Sequence, residues 1–256
     1  MSDARLPVTV HGPAGGDAPV VVLLHGFGGS REGWAAVQER LADARTLAFD
    51  LPEHGEALGS PHGPSTIDAR NAVLREIGRL ETPVHLVGHS RGGAVAVLAA
   101  LKAPERIASL TCLAPGGFGP KIADDALGRF ASARSEAEVR DALGALYAPA
   151  RPSRRAVVAQ VAWRKDPRAV PAMEGIAATL APNGVQGTLD LERLRDARFP
   201  VLVAWGERDA VLPAHQARAV PGARIEILEG AGHMLPMEAP DRVAVLIRSQ
   251  FGTNHS

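Results

Sequence analysis

The segment PVHLVGHSRGGAVAVLAALKAP (83–104) constrains the fold more than any other. Its first half is an apolar, β-like run. Its second half has a helical period and stops before Pro104. Only a Gly-rich corner carrying Ser90 separates the two. A strand that passes directly into a helix through so tight a corner is half of a βαβ crossover. The same rhythm recurs along the chain. APVVVLLHG (18–26), RTLAFDLP (45–52), IASLTCLAP (107–115), FPVLVAWGERD (199–209) and RIEILEGAGH (224–233) read as further strands. WAAVQERLA (34–42), TIDARNAVLREIGRL (66–80, with Ser65 or Thr66 as its N-cap) and DRVAVLIRSQF (241–251) read as helices. Apolar strands alternating with helices predict an α/β fold with a mostly parallel sheet covered on both faces.

One stretch breaks the rhythm. Between Gly117 and Arg198 no convincing apolar strand occurs. Short helices are expected at 122–132, 135–147, 153–164 and 167–180, punctuated by Pro149, Pro152, Pro167 and Pro182. A helical block of this size between two strands of one sheet reads as an inserted cap. Such a cap would cover the carboxyl ends of the strands, where open α/β sheets bind ligands. The expected division is a core of residues 1–116 and 199–256, with a helical cap at 117–198.

Composition narrows the functional classes. With 28 acidic and 28 basic residues among 256, the formal net charge is zero, which disfavours a nucleic-acid or anionic-membrane partner. The lone cysteine, Cys112, lies in the apolar run ASLTCLAP, and a small buried strand residue is expected there. MSDARLPVTVHG, at the start, has no apolar stretch of signal-peptide length, and no segment approaches the roughly 20 apolar residues of a membrane span. A cytoplasmic protein acting on a small molecule is the expectation. Oligomeric state is left open.

A serine hydroxyl becomes a competent nucleophile only with a base to take its proton, an acid to orient that base and N–H donors for the oxyanion. GHSRG (88–92) has the G-x-S-x-G form that lifts Ser90 above a sheet, with a strand before it and a helix after it. Of nine histidines, His233 alone follows a late strand and precedes the last helix, and is the expected base. His85 falls inside a strand, His215 in a helical stretch, His54 and His62 in a polar loop, and His255 in the tail. Asp209, just past VLVAWG, is the expected acid, with Glu207 as its nearest competitor. Oxyanion donors are expected from the backbone N–H of Arg91 and, in LLHGFGGS (23–30), from that of Phe27. Trp34, Phe118, Tyr147, Trp163 and Met234 are candidates to line the pocket. No cofactor or metal site is expected.

LLHGFGGS, FDLPEHGEA, VGHSRGGAVA, WGERDAVLP and GAGHMLPMEAP occur in the order and spacing of the α/β-hydrolase superfamily, which the chain resembles over nearly its whole length. LAPGGFGPKI and GERDAVLPA make it most similar to the hydrolase domain of acetoin dehydrogenase acyltransferase-type proteins. It is also similar to small-ester, enol-lactone and meta-cleavage-product hydrolases. The resemblance implies Ser90, Asp209 and His233 as the triad, a cap that sets substrate choice, and no cofactor. No lipoyl-bearing domain and no acyl-carrying swinging arm are expected with it. Two positions depart from the family pattern. Glu53 stands where D-x-P-G-H-G has glycine, so it takes an ordinary φ or carries strain. Arg91 replaces the usual apolar residue after the nucleophile, and its side chain is expected to pair with Glu53, bind an anionic substrate group or reach solvent. The activity expected is hydrolysis of a small carboxylic ester, thioester or related carbonyl substrate through an acyl-enzyme. C–C bond hydrolysis, lyase, acyltransferase or perhydrolase chemistry and a small-molecule binding role are the alternatives.

Overall fold

The computed structural model describes residues 4–147 and 151–252, so Pro149 and His255 lie outside the described residues. Seven strands form one sheet: β1 (Val8–His11), β2 (Val20–Leu24), β3 (Arg45–Phe49), β4 (Val84–His89), β5 (Ile107–Leu113), β6 (Val201–Gly206) and β7 (Arg224–Leu228). Their order is β1-β3-β2-β4-β5-β6-β7. β1 is antiparallel to β3, and every other pair is parallel. β1 has no counterpart among the strands expected from the sequence. Its four residues are all exposed, so it carries no burial signal, and only the ladder to β3 defines it.

The helices are α1 (Ala35–Arg40), α2 (Thr66–Gly78), α3 (Arg91–Lys102), α4 (Asp124–Ser132), α5 (Glu136–Gly144), α6 (Arg154–Trp163), α7 (Ala169–Leu180), α8 (Leu235–Glu238) and α9 (Pro240–Arg248). Ser65 caps α2 through a reciprocal pair with Asp68, which settles the choice between Ser65 and Thr66. α2 packs on α3, and α1 packs on α9. Right-handed crossovers place these pairs on opposite faces of the sheet. Between them the strands are buried on both sides, with Leu23, Leu24, Leu86, Leu110, Leu113, Cys112 and Trp205 closed to solvent.

Topology locates the site. After β2 the chain crosses to β3 on one side, and after β4 it crosses to β5 on the other. The carboxyl ends of the neighbouring strands β2 and β4 therefore flank the crevice where connections diverge, the usual ligand position in an open α/β sheet. The four helices α4–α7 lie between β5 and β6 in the chain, close to the sequence expectation. α4 packs on α7 and α5, and α5 packs on α6. Their buried residues, among them Leu127, Phe130, Val139, Met173 and Ile176, join the same apolar cluster as the sheet. Among the described residues no helix is long and apolar enough to cross a membrane.

Candidate active site

Ser90 sits between the last residue of β4 and the first of α3 with φ 51, in the left-handed region. For a residue with a Cβ this costs about 1–2 kcal/mol and persists only where the surroundings impose it. They do so here. The Ser90 N–H donates to the Leu113 carbonyl at 2.9 Å, and its own carbonyl accepts from Gly93 and Gly116 N–H, both at 2.9 Å. The corner closes because Gly88 and Gly92 lack side chains. A Cβ on Gly88 would lie 2.2 Å from the Gly92 carbonyl oxygen, and one on Gly92 would lie 2.4 Å from the carbonyl oxygens of Leu24 and His25. Gly93 and Ala94 N–H are taken up by the Ser90 carbonyl, while the earlier N–H groups of α3, those of Arg91 and Gly92, precede the first turn's bonds, so the helix end favours negative charge beside Ser90.

His233 arrives from the loop after β7, and its Nε2 stands 3.0 Å from Ser90 Oγ. Its Nδ1 is 2.8 Å from Asp209 Oδ2. The other Asp209 oxygen accepts from Val211 and Leu212 N–H, each at 2.8 Å, which fixes the carboxylate plane. Burial opposes ionisation of Asp209, but the His233 ring and these two N–H donors outweigh it and hold its carboxyl below the usual value. Glu207 turns away and accepts from Gly230 N–H at 3.0 Å. Two further residues hold the histidine, and sequence reasoning missed both. Glu238 accepts from Gly232 N–H at 2.8 Å and from Met234 N–H at 2.9 Å, clasping the backbone on both sides of His233. His89 Nε2 donates to the His233 carbonyl at 2.8 Å, and burial pushes the His89 ring down to about 3. The position of His89 beside the serine was the available signal for it. Glu238, five residues beyond His233, carried none.

The loop after β2 closes the other side. Gly26 touches the serine so closely that a Cβ there would lie 2.9 Å from Ser90 Cβ. His25 shapes the turn: Leu51 N–H donates to its Nε2 at 3.0 Å and its Nδ1 donates to the Gly26 carbonyl at 2.8 Å. Burial pushes this ring down to about 4, so it is neutral at physiological pH. The Phe27 ring stands edge-on to Phe130 of α4 and to His54, with centroids 6.2 and 6.3 Å away.

Several expectations need correction. The Arg91 side chain takes none of its three expected courses. It is buried, its Nη2 donates to the Pro64 carbonyl at 2.7 Å, and Nε and Nη1 have no hydrogen-bond partner among the described residues. Burial pushes its pKa down to about 10, which still leaves it charged at neutral pH. Glu53 takes the strained option at φ 65, and its carboxylate accepts from Gly59 N–H at 3.1 Å. His54, expected in a polar loop, is wholly buried against His25, with ring centroids 5.1 Å apart.

The cavity above Ser90 is lined by Gly26, Phe27, His89, Ser90, Leu127, Leu146, His233 and Met234. Its volume is about 10 Å³, room for roughly one water. Of the five pocket candidates only Met234 lines it. Trp34 is wholly buried in the core, and Phe118 packs on Trp205 with centroids 6.1 Å apart. Trp163 donates its Nε1–H to the Gly55 carbonyl at 3.0 Å. Tyr147 packs half-buried against the apolar cluster. Each is a large aromatic that found apolar cover elsewhere. A larger groove of about 280 Å³, between β7 and α9, shares no residue with the site. Among the described residues no group of His, Cys, Asp or Glu side chains is placed to hold a metal ion.

Known proteins share this architecture. A dihydrolipoyllysine-residue acetyltransferase component of an acetoin cleaving system, from Cupriavidus necator, is 33% identical over 244 residues, covering 93% of this chain. The chain spans 65% of that relative's length. A carboxylesterase of Bacillus subtilis is 29% identical over 89% of this chain and 78% of its own. The structure of a meta-cleavage product hydrolase from Pseudomonas fluorescens superposes with a TM-score of 0.81 at 19% identity, covering 95% of this chain and 93% of that one. The profile described as Alpha/beta hydrolase family matches residues 21–246. The chain belongs to the alpha/beta hydrolase family.

Proposed function

We propose that the protein hydrolyses a small carboxylic ester or thioester through an acyl-enzyme on Ser90. The observation that carries this reading is the unbroken chain from Asp209 Oδ2 to His233 Nδ1 at 2.8 Å and from His233 Nε2 to Ser90 Oγ at 3.0 Å. Asp209 holds the proton of His233 on Nδ1, which leaves Nε2 with a lone pair toward Ser90. As Ser90 Oγ attacks the carbonyl carbon, its proton passes to Nε2. The oxyanion takes hydrogen bonds from the Phe27 and Arg91 N–H groups. The imidazolium returns the proton to the leaving alcohol or thiol, and a water repeats the sequence to release the acid and restore Ser90. Residues 117–198 act as the cap. Leu127 and Leu146 come from this block and complete an apolar wall with Phe27 and Met234, which suits a small acyl chain.

Acyl transfer to an acceptor other than water is the second reading. It uses the same acyl-enzyme, and the 33% identity to a protein named as an acetyltransferase component favours it. The meta-cleavage product hydrolase supports the fold alone. The test is intact-mass spectrometry after treatment with a fluorophosphonate probe. Wild type should take up one equivalent, His233→Ala should label far more slowly and Ser90→Ala not at all. Wild type that stays unlabelled while a known serine esterase labels fully would refute the proposal. A panel of p-nitrophenyl esters, thioesters and a dienoate then assigns the substrate class.

A further inference from the structure

One side chain of α6, Gln160, touches the oxyanion loop without reaching the cavity, and Arg164, just past the end of α6, holds it in place. Gln160 Nε2 donates to the Gly28 carbonyl at 2.8 Å, one residue past Phe27. Gln160 Oε1 accepts from Arg164 Nη1. An amide can be turned over, and in that orientation its oxygen would face the Gly28 carbonyl oxygen. The guanidinium forbids this, because it can only donate. Arg164 is itself anchored. Its Nη2 donates to the Phe130 carbonyl at 2.8 Å and its Nε to the Ala133 carbonyl at 3.1 Å, at the end of α4 where carbonyls lack helical partners. The guanidinium lies 4.8 Å over the Phe130 ring, and that ring packs edge-on against Phe27. The approach is tight. A Cβ on Gly28 would fall 2.3 Å from the Phe130 ring and 2.8 Å from Met173 Cε.

We infer that Gln160 and Arg164 are positioning residues of the oxyanion hole: they clamp residues 26–29 from the helical block and set the direction of the Phe27 N–H. The inference rests on the serine-hydrolase reading above. The helical block reaches the loop through a polar contact from Gln160 and apolar ones from Phe130 and Met173, and Arg164 fixes the first two. The sheet side offers the loop its own turn bond, Gly29 N–H to the Gly26 carbonyl at 3.1 Å, and the hold of His25. The helical block therefore adds orientation at the residue where the oxyanion donor sits. It also links acyl fit to chemistry, because Phe130 and the wall residue Leu127 share α4. An acyl group that displaces α4 tilts the donor as well.

Gln160→Glu and Gln160→Met separate this role from mere packing. Glutamate keeps the pairing to Arg164 but brings no N–H to Gly28, and methionine keeps only the volume. The readouts are kcat and KM on p-nitrophenyl acetate, and the inhibition constant of a trifluoromethyl ketone, whose adduct with Ser90 carries an oxyanion. Both variants should lose about tenfold in kcat, less than the roughly 10²–10³ of removing a donor outright. KM should stay within about twofold, and inhibitor affinity should fall by the same factor as kcat. Arg164→Lys, which keeps a cation and one donor, should lie between wild type and Gln160→Met. Folded Gln160→Glu with wild-type kcat and inhibitor affinity, in an enzyme whose Ser90 labels normally, overturns the clamp and leaves the hydrolase reading standing. Failure of wild type to label Ser90 overturns both.

Discussion

The sheet ends and the helical block meet over Ser90 but are built by different means. On the sheet side every proposed catalytic group is tied by backbone. The Ser90 peptide is held by Leu113, Gly93 and Gly116, the Asp209 carboxylate by Val211 and Leu212, and the His233 backbone by Glu238 and His89. On the block side most contacts are apolar side chains. Two of its few polar links to the sheet ends are Gln160 to the Gly28 carbonyl and Trp163 to the Gly55 carbonyl. Backbone bonds specify positions to fractions of an ångström, whereas apolar packing specifies volume and tolerates exchange. One half can thus hold a reaction geometry while the other half varies the fit.

The largest effect should follow from damage on the sheet side. Asp209→Asn preserves shape but permits the wrong tautomer of His233, and should lower kcat by about 10⁴-fold with an unchanged circular dichroism spectrum. Glu207→Gln should stay within about twofold of wild type, since that exposed carboxylate is engaged by the Gly230 N–H, away from His233. Steady-state kinetics on one ester compares the two. A greater loss in Glu207→Gln would reassign the acid.

Acid should cost several kcal/mol, again on the sheet side. All nine histidines lie outside 117–198. Four of them are displaced downward by burial: His25 and His85 to about 4, His89 to about 3, and His54 well below 6.5. Once unfolded, each ring binds a proton near pH 6.5; in the folded protein it does not. Their contribution is therefore complete above that pH and is lost as pH falls toward the folded values, by roughly 1 kcal/mol per ring per pH unit. Urea midpoints measured from pH 7.5 down to 5 should fall steeply below 6.5. A flat profile would mean that these rings take up protons in the fold as readily as in the unfolded chain.

The same division decided what the sequence could show. Ser90, Asp209 and His233 stood out because each lies at the end of an apolar run, and chain order ranked the candidates. The parallel sheet and the four helices between β5 and β6 followed from hydrophobic period. β1 did not, since its alternation, VTVH, runs for only four residues and carries no buried apolar run. The pocket did not either. Trp34, Phe118, Tyr147 and Trp163 were chosen by residue type, yet large aromatics bury themselves wherever apolar cover exists, and the wall over Ser90 went to Leu127 and Leu146. The burial of Arg91 and His54 depends on the loop before α2 folding over them. The clasp of Glu238 is a matter of three-dimensional direction that spacing alone does not encode.

The smallest expected effect on catalysis belongs to the block, and it is the one that tests whether tolerance there is real. Leu127 and Leu146 are nearly closed to solvent, and both face a cavity of only about 10 Å³. Cutting either to alanine removes a branched side chain from the wall and leaves the Asp209, His233 and Ser90 bonds untouched. Leu146→Ala should therefore move the preference among p-nitrophenyl esters toward longer acyl chains. A methylene in an apolar pocket is worth about 1–3 kcal/mol, so the ratio of kcat/KM for butyrate over acetate should rise by about tenfold or more. The acetate rate itself should stay within about threefold, because the smallest acyl group leans on the oxyanion donors and the triad more than on the wall. Leu127→Ala should give the same shift with a larger fall in acetate kcat, since α4 also carries Phe130 and through it the Phe27 loop. Equal losses on acetate and butyrate in Leu146→Ala would show that the wall serves stability and not fit. The helical block would then be as exacting as the sheet, and the contrast between the two halves would fail.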